Sequence, residues 1–236
     1  MLTPRQWARL GLSIVRGMRD STRTDELIVA EELVCRGRFA ELRRELEARI
    51  AASPEAQALM RQKPRLATDA LDYAALRRLP VGTVGRAYVD FLDRHRLDPN
   101  ALAEPAGKAS GAGYADRDAG YLHERYRQCH DVWHALTGLG IEGYEEVVLH
   151  AFTWGQLRLP YSALIVAFGT LKHVLLERRW DVLRHGLADA WRAGLAAQPL
   201  ILVHWEERWG EPLERVRAEL GIRVLGRDDQ ASAAAA

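Results

Sequence analysis

The sequence predicts an all-α fold, a single multi-helix bundle domain, and three observations carry that expectation. Ala, Leu, Arg and Glu, all good helix formers, dominate the chain. Runs of β-branched residues are scarce, and Leu200-Ile201-Leu202-Val203, between Pro199 and His204, is the only stretch with strand character. The 236 residues are 48% hydrophobic, ample for one packed core, and the pattern stays helical along the chain.

The first helix begins at Thr3-Pro4-Arg5-Gln6, which has the form of an N-cap, a Pro at the first helical position and a capping-box Gln. Trp7, Leu10, Ile14, Val15 and Met18 follow at helical spacing, with Arg5, Arg9, Arg16 and Arg19 around them and no acid before Asp20. Residues 1–20 therefore read as a basic amphipathic helix suited to an anionic membrane surface. Its composition is similar to that of an organellar presequence but lacks the Ser-rich character. Docking on the domain or on a second subunit is the ordinary alternative. The main helical domain is expected over residues 21–223 and a disordered tail over 224–236, with Arg227 to Ala236 frayed.

Within the domain the periodicity predicts helices from Asp25 to Cys35, Phe39 to Ala51, Pro54 to Gln62, Gly85 to Arg94, Asp118 to Gly138, Tyr144 to Leu157, Pro160 to Arg178, Trp180 to Leu195, Leu200 to Trp209 and Pro212 to Leu220. Ser53-Pro54 and Gly210-Glu211-Pro212 supply explicit start signals. Asp98-Pro99-Asn100 through Gly113, rich in Pro, Gly and Ala, reads as a loop before the next helix.

Charge and cysteine usage exclude several classes. Thirty-three basic against thirty-two acidic residues leave a net charge of +1, so there is no global electrostatic case for nucleic-acid binding. Cys35 and Cys129 are isolated, without a C-x-x-C pair or a disulfide framework, which suits a reducing cytoplasm. Cys129 falls about 100° off the face of its helix that matters below and reads as a small buried hydrophobe. The longest uncharged runs, Leu159 to Leu171 and Ala193 to Trp205, are shorter than the roughly 20 residues a spanning helix needs.

The chemistry is concentrated in His130-Asp131-Val132-Trp133-His134, followed after eleven residues by Glu146. On a helix His130 and His134 lie only about 40° apart and one turn away from each other, with Asp131 about 100° from His130 on the same side. Glu146 can return from a following helix once the chain reverses through Gly138-Leu139-Gly140-Ile141-Glu142-Gly143. Two imidazoles with two carboxylates suit a divalent cation, and such a set resembles both zinc hydrolase sites and the iron facial triad, so zinc, iron(II), cobalt and manganese all remain open. Glu145 adjoins Glu146, and the acidic ligand can be either. H-D-x-x-H alone is a weak pattern: a solvated amphipathic helix carries it equally well, and HD-type phosphohydrolases use a His-Asp dipeptide with a different set of partners. His123 and Arg127 extend the stripe backward, and Arg127 can grip a carboxylate or phosphate, or simply pair with an acid such as Glu124. His150, one turn beyond Glu146, is an auxiliary ligand, a proton carrier or a hydrogen-bonded core residue. Val147, Val148, Ala151, Phe152, Leu164, Ile165, Val166, Ala167, Phe168 and Leu171 are ordinary core or the lining of an apolar slot.

The block from Arg125-Tyr126-Arg127-Gln128-Cys129-His130 to Leu139, with Glu146 beyond it, resembles the coenzyme Q (ubiquinone) biosynthesis protein 4 family. Leu79-Pro80-Val81-Gly82-Thr83-Val84-Gly85 is similar to that family's Leu-Pro-x-Gly-Thr segment, and Trp205-Glu206-Glu207-Arg208-Trp209-Gly210-Glu211-Pro212-Leu213-Glu214 to its C-terminal block. Roughly residues 20 to 223 fit the pattern. The resemblance implies a helical protein of ubiquinone synthesis, one divalent metal ion on His130, Asp131, His134 and Glu146, and oxidative decarboxylation at ring carbon C1 of a polyprenylated hydroxybenzoate-type precursor. Partners implied are that substrate and other quinone-biosynthesis proteins; the basic N-terminal helix adds a peripheral membrane contact on the inner face, and the apolar N-terminal and C-terminal helices a homodimer. A lipid-binding organiser of other biosynthetic enzymes is the alternative, and a metal-dependent phosphohydrolase a third reading.

Overall fold

The computed structural model describes residues 3–19, 24–101, 106–108, 113–175, 178 and 180–226, and among them it is helical throughout, with no strand. The described helices are α1 (Pro4–Arg19), α2 (Thr24–Glu45), α3 (Glu47–Ala52), α4 (Pro54–Gln62), α5 (Tyr73–Arg77), α6 (Val84–His95), α7 (Arg117–Thr137), α8 (Gly143–Leu157), α9 (Pro160–Leu175), α10 (Trp180–Ala196), α11 (Trp205–Arg208) and α12 (Leu213–Leu220). A single 3-10 turn, Leu200–Leu202, precedes α11.

The N-terminal capping box forms. Gln6 Oε1 accepts from the Thr3 backbone N–H at 2.8 Å, and Thr3 Oγ1 accepts from that of Gln6 at 3.3 Å. Leu10 and Ser13 are buried and Arg5 and Arg9 exposed, with α1 packed along α2. Asp20 and the side chains of Trp7, Ile14, Val15, Arg16, Met18 and Arg19 lie outside the described residues, as does Arg227 to Ala236 of the expected tail. Residues 224–226, also assigned to that tail, are instead tied to the body: Leu225 and Gly226 donate their backbone N–H groups to the Thr137 carbonyl.

Three elements differ from expectation for identifiable reasons. The helices expected at Asp25–Cys35 and Phe39–Ala51 join as α2, because Cys35 and Phe39, four residues apart and both fully buried, carry the helix across Gly37. The chain then bends at Leu46 and continues as α3. Expected helix Leu200–Trp209 is divided, since Val203 takes an extended conformation between the 3-10 turn and α11. Helix α5 was not anticipated. It is one turn, too short to show a period, and Asp72 Oδ1 caps it by accepting from the Ala75 N–H at 2.9 Å.

Helix α7 is flanked by α2 on one side and α6 on another, while α8 is packed between α9 and α10, and α2 also meets α9. Trp133, Trp205, Phe39, Phe152 and Tyr88 are essentially inaccessible and anchor one continuous core. Two remote sequence blocks clasp each other beside it. Val84 N–H donates to the Glu211 carbonyl at 3.0 Å, Gly85 N–H to Trp209 at 2.9 Å and Leu213 N–H to Gly82 at 2.8 Å, with the Tyr88 and Trp209 rings stacked at 5.7 Å. Gly82, at φ 84°, makes the turn that permits this pairing. The clasp fixes α6, whose Phe91 reaches the site described below.

Helices α8 and α10 touch backbone to backbone. A Cβ on Gly194 would lie 2.1 Å from the Phe152 carbonyl oxygen, and one on Gly155 2.5 Å from that of Trp191. Gly194→Ala must therefore push the helices apart, at a cost of about 1–3 kcal/mol. Gly37→Ala, where a Cβ meets nothing within 4 Å, should stabilise by up to about 1 kcal/mol. Thermal unfolding of the two variants should show shifts of opposite sign.

Candidate metal centre

Helix α7 starts where Asp116 accepts from the N–H groups of Asp118 and Ala119 at 2.9 and 3.2 Å, and it stops at Gly138, whose φ of 67° only glycine adopts without strain. Val132 and Trp133, both fully buried, fix its inner face. His130 and His134 are thereby held toward α8, with their rings edge to face at 4.8 Å between centroids.

The reversal after Gly138 settles which acid joins them. Glu142 and Glu145 form a reciprocal capping box at the start of α8, Glu145 accepting from the Glu142 N–H at 3.2 Å. Glu145 Oε2 also occupies the space a Cβ on Gly140 would need, 2.7 Å away. Glu145 is thus spent on the helix end, and Glu146 turns to the imidazoles: its Oε1 lies 3.3 Å from His134 Nε2 and its Oε2 3.7 Å from His130 Nε2. One ligand atom from each of His130, His134 and Glu146 falls within 4.8 Å of the others.

The arrangement fits an ion. His134 Nδ1 donates to the Leu139 carbonyl at 3.1 Å, so the neutral ring has its lone pair on Nε2, and that atom is buried without a hydrogen-bond partner. Asp131 is not in the group of three. Its Oδ1 stands 3.5 Å from His130 Nδ1, on the ring nitrogen away from Glu146, where it orients that imidazole. Burial works to raise the Glu146 carboxyl, but the charges that His134 and then His130 carry when protonated outweigh it and hold it at about 2. Burial likewise lowers His130, yet hydrogen bonding to Asp131 and the charge of Glu146 leave it raised.

Phe91 stacks on His134 at 5.2 Å and 14°, fixing the ring from the α6 side. His150 is outside the ligand group. Its Nδ1 lies 3.2 Å from Ser162 Oγ, its ring is 5.9 Å from that of His130, and burial followed by the His130 charge lowers it to about 3. Of the apolar residues considered for a slot, Val147, Val148, Ala151 and Phe152 are buried core, whereas Phe168 and Leu171 on α9 are exposed and Leu164, Ile165 and Val166 half-buried. Cys129 is fully buried, with its thiol pushed up to about 12 by that burial, and it behaves as a hydrophobe.

Arg127 is buried rather than solvated, and its partners are not Glu124 but two acids from α2. Nε donates to Glu31 at 2.8 Å and Nη2 to Glu32 at 2.8 Å. Glu31 also meets His123 Nε2, and Tyr114 donates to or accepts from His123 Nδ1 at 2.7 Å. Glu124 instead accepts from the Ala106 N–H, and Glu32 from that of Gly107, so the described part of the preceding loop is tied to α7 and α2. Arg127 Nη1 alone in that guanidinium is buried with no partner. Glu31 and Glu32 went unnoticed in the sequence, where the signal is two consecutive acids set between Leu27-Ile28-Val29-Ala30 and Leu33-Val34.

An all-α bundle whose central helix presents two histidines to a carboxylate from the next helix is the class that fold and site define. The chain belongs to the coenzyme Q (ubiquinone) biosynthesis protein Coq4 family, whose profile matches residues 4–225. It is 35% identical over 219 residues to the mitochondrial ubiquinone biosynthesis protein coq4 of Pyrenophora tritici-repentis, covering 91% of this chain and 71% of that one. The Yarrowia lipolytica protein of that name is 34% identical over 206 residues, covering 86% and 74%. Against the Coprinopsis cinerea protein the identity is 32% over 177 residues, and the match spans 75% of this chain but only 58% of the relative. A crystal structure from Nostoc punctiforme PCC 73102 with a ubiquinone-biosynthesis designation shares the fold, with a TM-score of 0.68 at 21% identity over 91% of this chain and 97% of that one.

Two outcomes follow from the geometry. Glu146→Gln should abolish ion uptake, whereas Glu145→Ala should retain it and lose about 0.5–2 kcal/mol of stability through the lost cap; metal titration with thermal unfolding separates them. His150 protonates near 6.5 when unfolded but only at about 3 when folded. Between those values the unfolded chain binds more protons, so this group's stability is intact above about 6.5 and falls with acidification, by up to about 1.4 kcal/mol per pH unit. Metal-free His150→Gln should accordingly lose less stability than the parent chain between pH 6.5 and 4.

Proposed function

We propose that this chain acts in ubiquinone biosynthesis as a metal-dependent oxidative decarboxylase, removing the C1 carboxylate of a polyprenylated hydroxybenzoate-type precursor and installing oxygen there. The observation that carries it is the buried lone pair of His134 Nε2, facing Glu146 and His130 without any protein donor. Family membership supplies the pathway.

When bound by His130, His134 and Glu146, with Asp131 orienting the first, a divalent ion supplies Lewis-acid polarisation of the carboxylate or an adjacent ring oxygen. Zinc, iron(II), cobalt and manganese all suit the donors. Arg127 offers Nη1 to the substrate's anionic group while Glu31 and Glu32 hold the guanidinium still. His150, kept neutral beside His130, borders the centre as a hydrogen-bonding group. The half-buried apolar side of α9 receives the isoprenoid tail and orients the ring. Loss of carbon dioxide leaves the bonding pair on C1, where molecular oxygen adds. In balance, a ring with a para hydroxyl consumes one dioxygen, releases carbon dioxide and water, and ends as a quinone.

The exposed Phe168, Leu171 and Leu175 of α9 favour a second reading, a polyprenyl-lipid-binding organiser on which other quinone-biosynthesis proteins dock at the inner membrane face. No helix among the described residues is long and apolar enough to cross a membrane, so such a contact would be peripheral.

Purified His134→Ala should lose bound metal and stop converting a C1-carboxylated prenyl hydroxybenzoate, and the parent chain should convert it aerobically but not anaerobically. Turnover by metal-free protein would refute the decarboxylase. Loss of metal that lowers thermal stability while no carboxylate is ever released would favour the organiser.

A further inference from the structure

The C-terminal end of α7 is capped from far along the chain. Arg217, nearly inaccessible in α12, donates Nε to the Leu136 carbonyl at 2.8 Å and Nη2 to that of Ala135 at 3.3 Å. After the Gly221 turn the chain comes back across the same helix end, where the N–H groups of Leu225 and Gly226 donate to the Thr137 carbonyl at 2.7 and 3.2 Å. Three successive carbonyls that an isolated helix leaves open are thus satisfied by one distant segment. Gly226 presses further onto the reversal: a Cβ there would fall 1.9 Å from the Gly138 carbonyl oxygen and 2.8 Å from Leu139 Cα. Those two peptide units aim the Leu139 carbonyl, and that carbonyl accepts from His134 Nδ1. A carbonyl can only accept, so the neutral form of the ring carries its proton on Nδ1 and turns its Nε2 lone pair toward Glu146.

We propose that Arg217 and the Ile222–Gly226 segment form a latch that sets the tautomer and aim of His134, which makes Arg217, Leu225 and Gly226 positioning residues for the metal centre. The claim about affinity rests on the metal-binding reading of His130, His134 and Glu146; the claim about the imidazole does not. The latch works through backbone placement, since neither Leu225 nor Gly226 offers a side chain to the site.

The test compares the parent chain with Gly226→Ala, Arg217→Met and a truncation after Val224, which adds no bulk and guards against misfolding of the first. A control truncation after Gly226 should match the parent throughout. Nitrogen-15 NMR of the histidine rings in metal-free protein should show His134 protonated on Nδ1 in the parent and a mixture of the two neutral tautomers in the variants. Cobalt(II) titration should show affinity lowered about 10–100-fold, with chelated protein still unfolding cooperatively. Variants that retain the parent tautomer and affinity would overturn the latch. A tautomer shift in the variants together with no cobalt uptake by the parent would uphold the hold on His134 and reject the metal reading.

Discussion

The constraint on which the rest of this molecule turns is a carboxylate held between two imidazoles, Glu146 facing the Nε2 atoms of His130 and His134. Two of these groups ride one helix and the third the next, so their meeting demands an unbroken α7, a reversal at Gly138 and a firm first turn for α8. Each demand has its own device: Val132 and Trp133 sunk in the core, a left-handed glycine, and a reciprocal Glu142–Glu145 cap. The carboxylate stays ionised although buried because the imidazoles overcome the cost of leaving water.

Charges next to this centre are buried and paired across the bundle. Arg127 lies on Glu31 and Glu32, and Arg125 forms a two-pronged pair with Glu206 while donating to the Val203 carbonyl at 3.0 Å. Pairs of this kind contribute little net stability, because desolvation consumes most of the Coulomb gain, yet losing one partner leaves a bare charge inside and costs several kcal/mol. Their effect is to pin α7 in register with α2 and with the C-terminal block. Register is what a metal centre needs.

Much of this was legible in the sequence wherever the signal is local. Thr3-Pro4-Arg5-Gln6 declared its capping box, Ser53-Pro54 opened α4 at the expected residue, and the spacing of His130, His134 and Glu146 anticipated that these three side chains gather. What escaped depends on distance along the chain or on competition between local signals. The interval between the helices expected to end at Cys35 and start at Phe39 is helical, because burial of those two side chains outweighs the one glycine between them. The choice between Glu145 and Glu146 could not be made from spacing, because it depends on which carboxylate the helix end consumes. For Arg127 the sequence offers an anionic ligand or an acid on its own helix, whereas its partners lie more than ninety residues earlier.

The two glycines at which α8 meets α10 have a mechanical consequence. With main chain resting on main chain at Gly155 and Gly194, these helices have no room to approach further there, and the Gln156 side chain ties the two by donating to the Gly194 carbonyl at 2.6 Å. Where α8 meets α9 the tight contact is of another kind: Gly169 of α9 faces the Val147 side chain. Parting α8 from α10 thus means lifting one main chain off another, whereas α9 rests on α8 through a side chain that can turn.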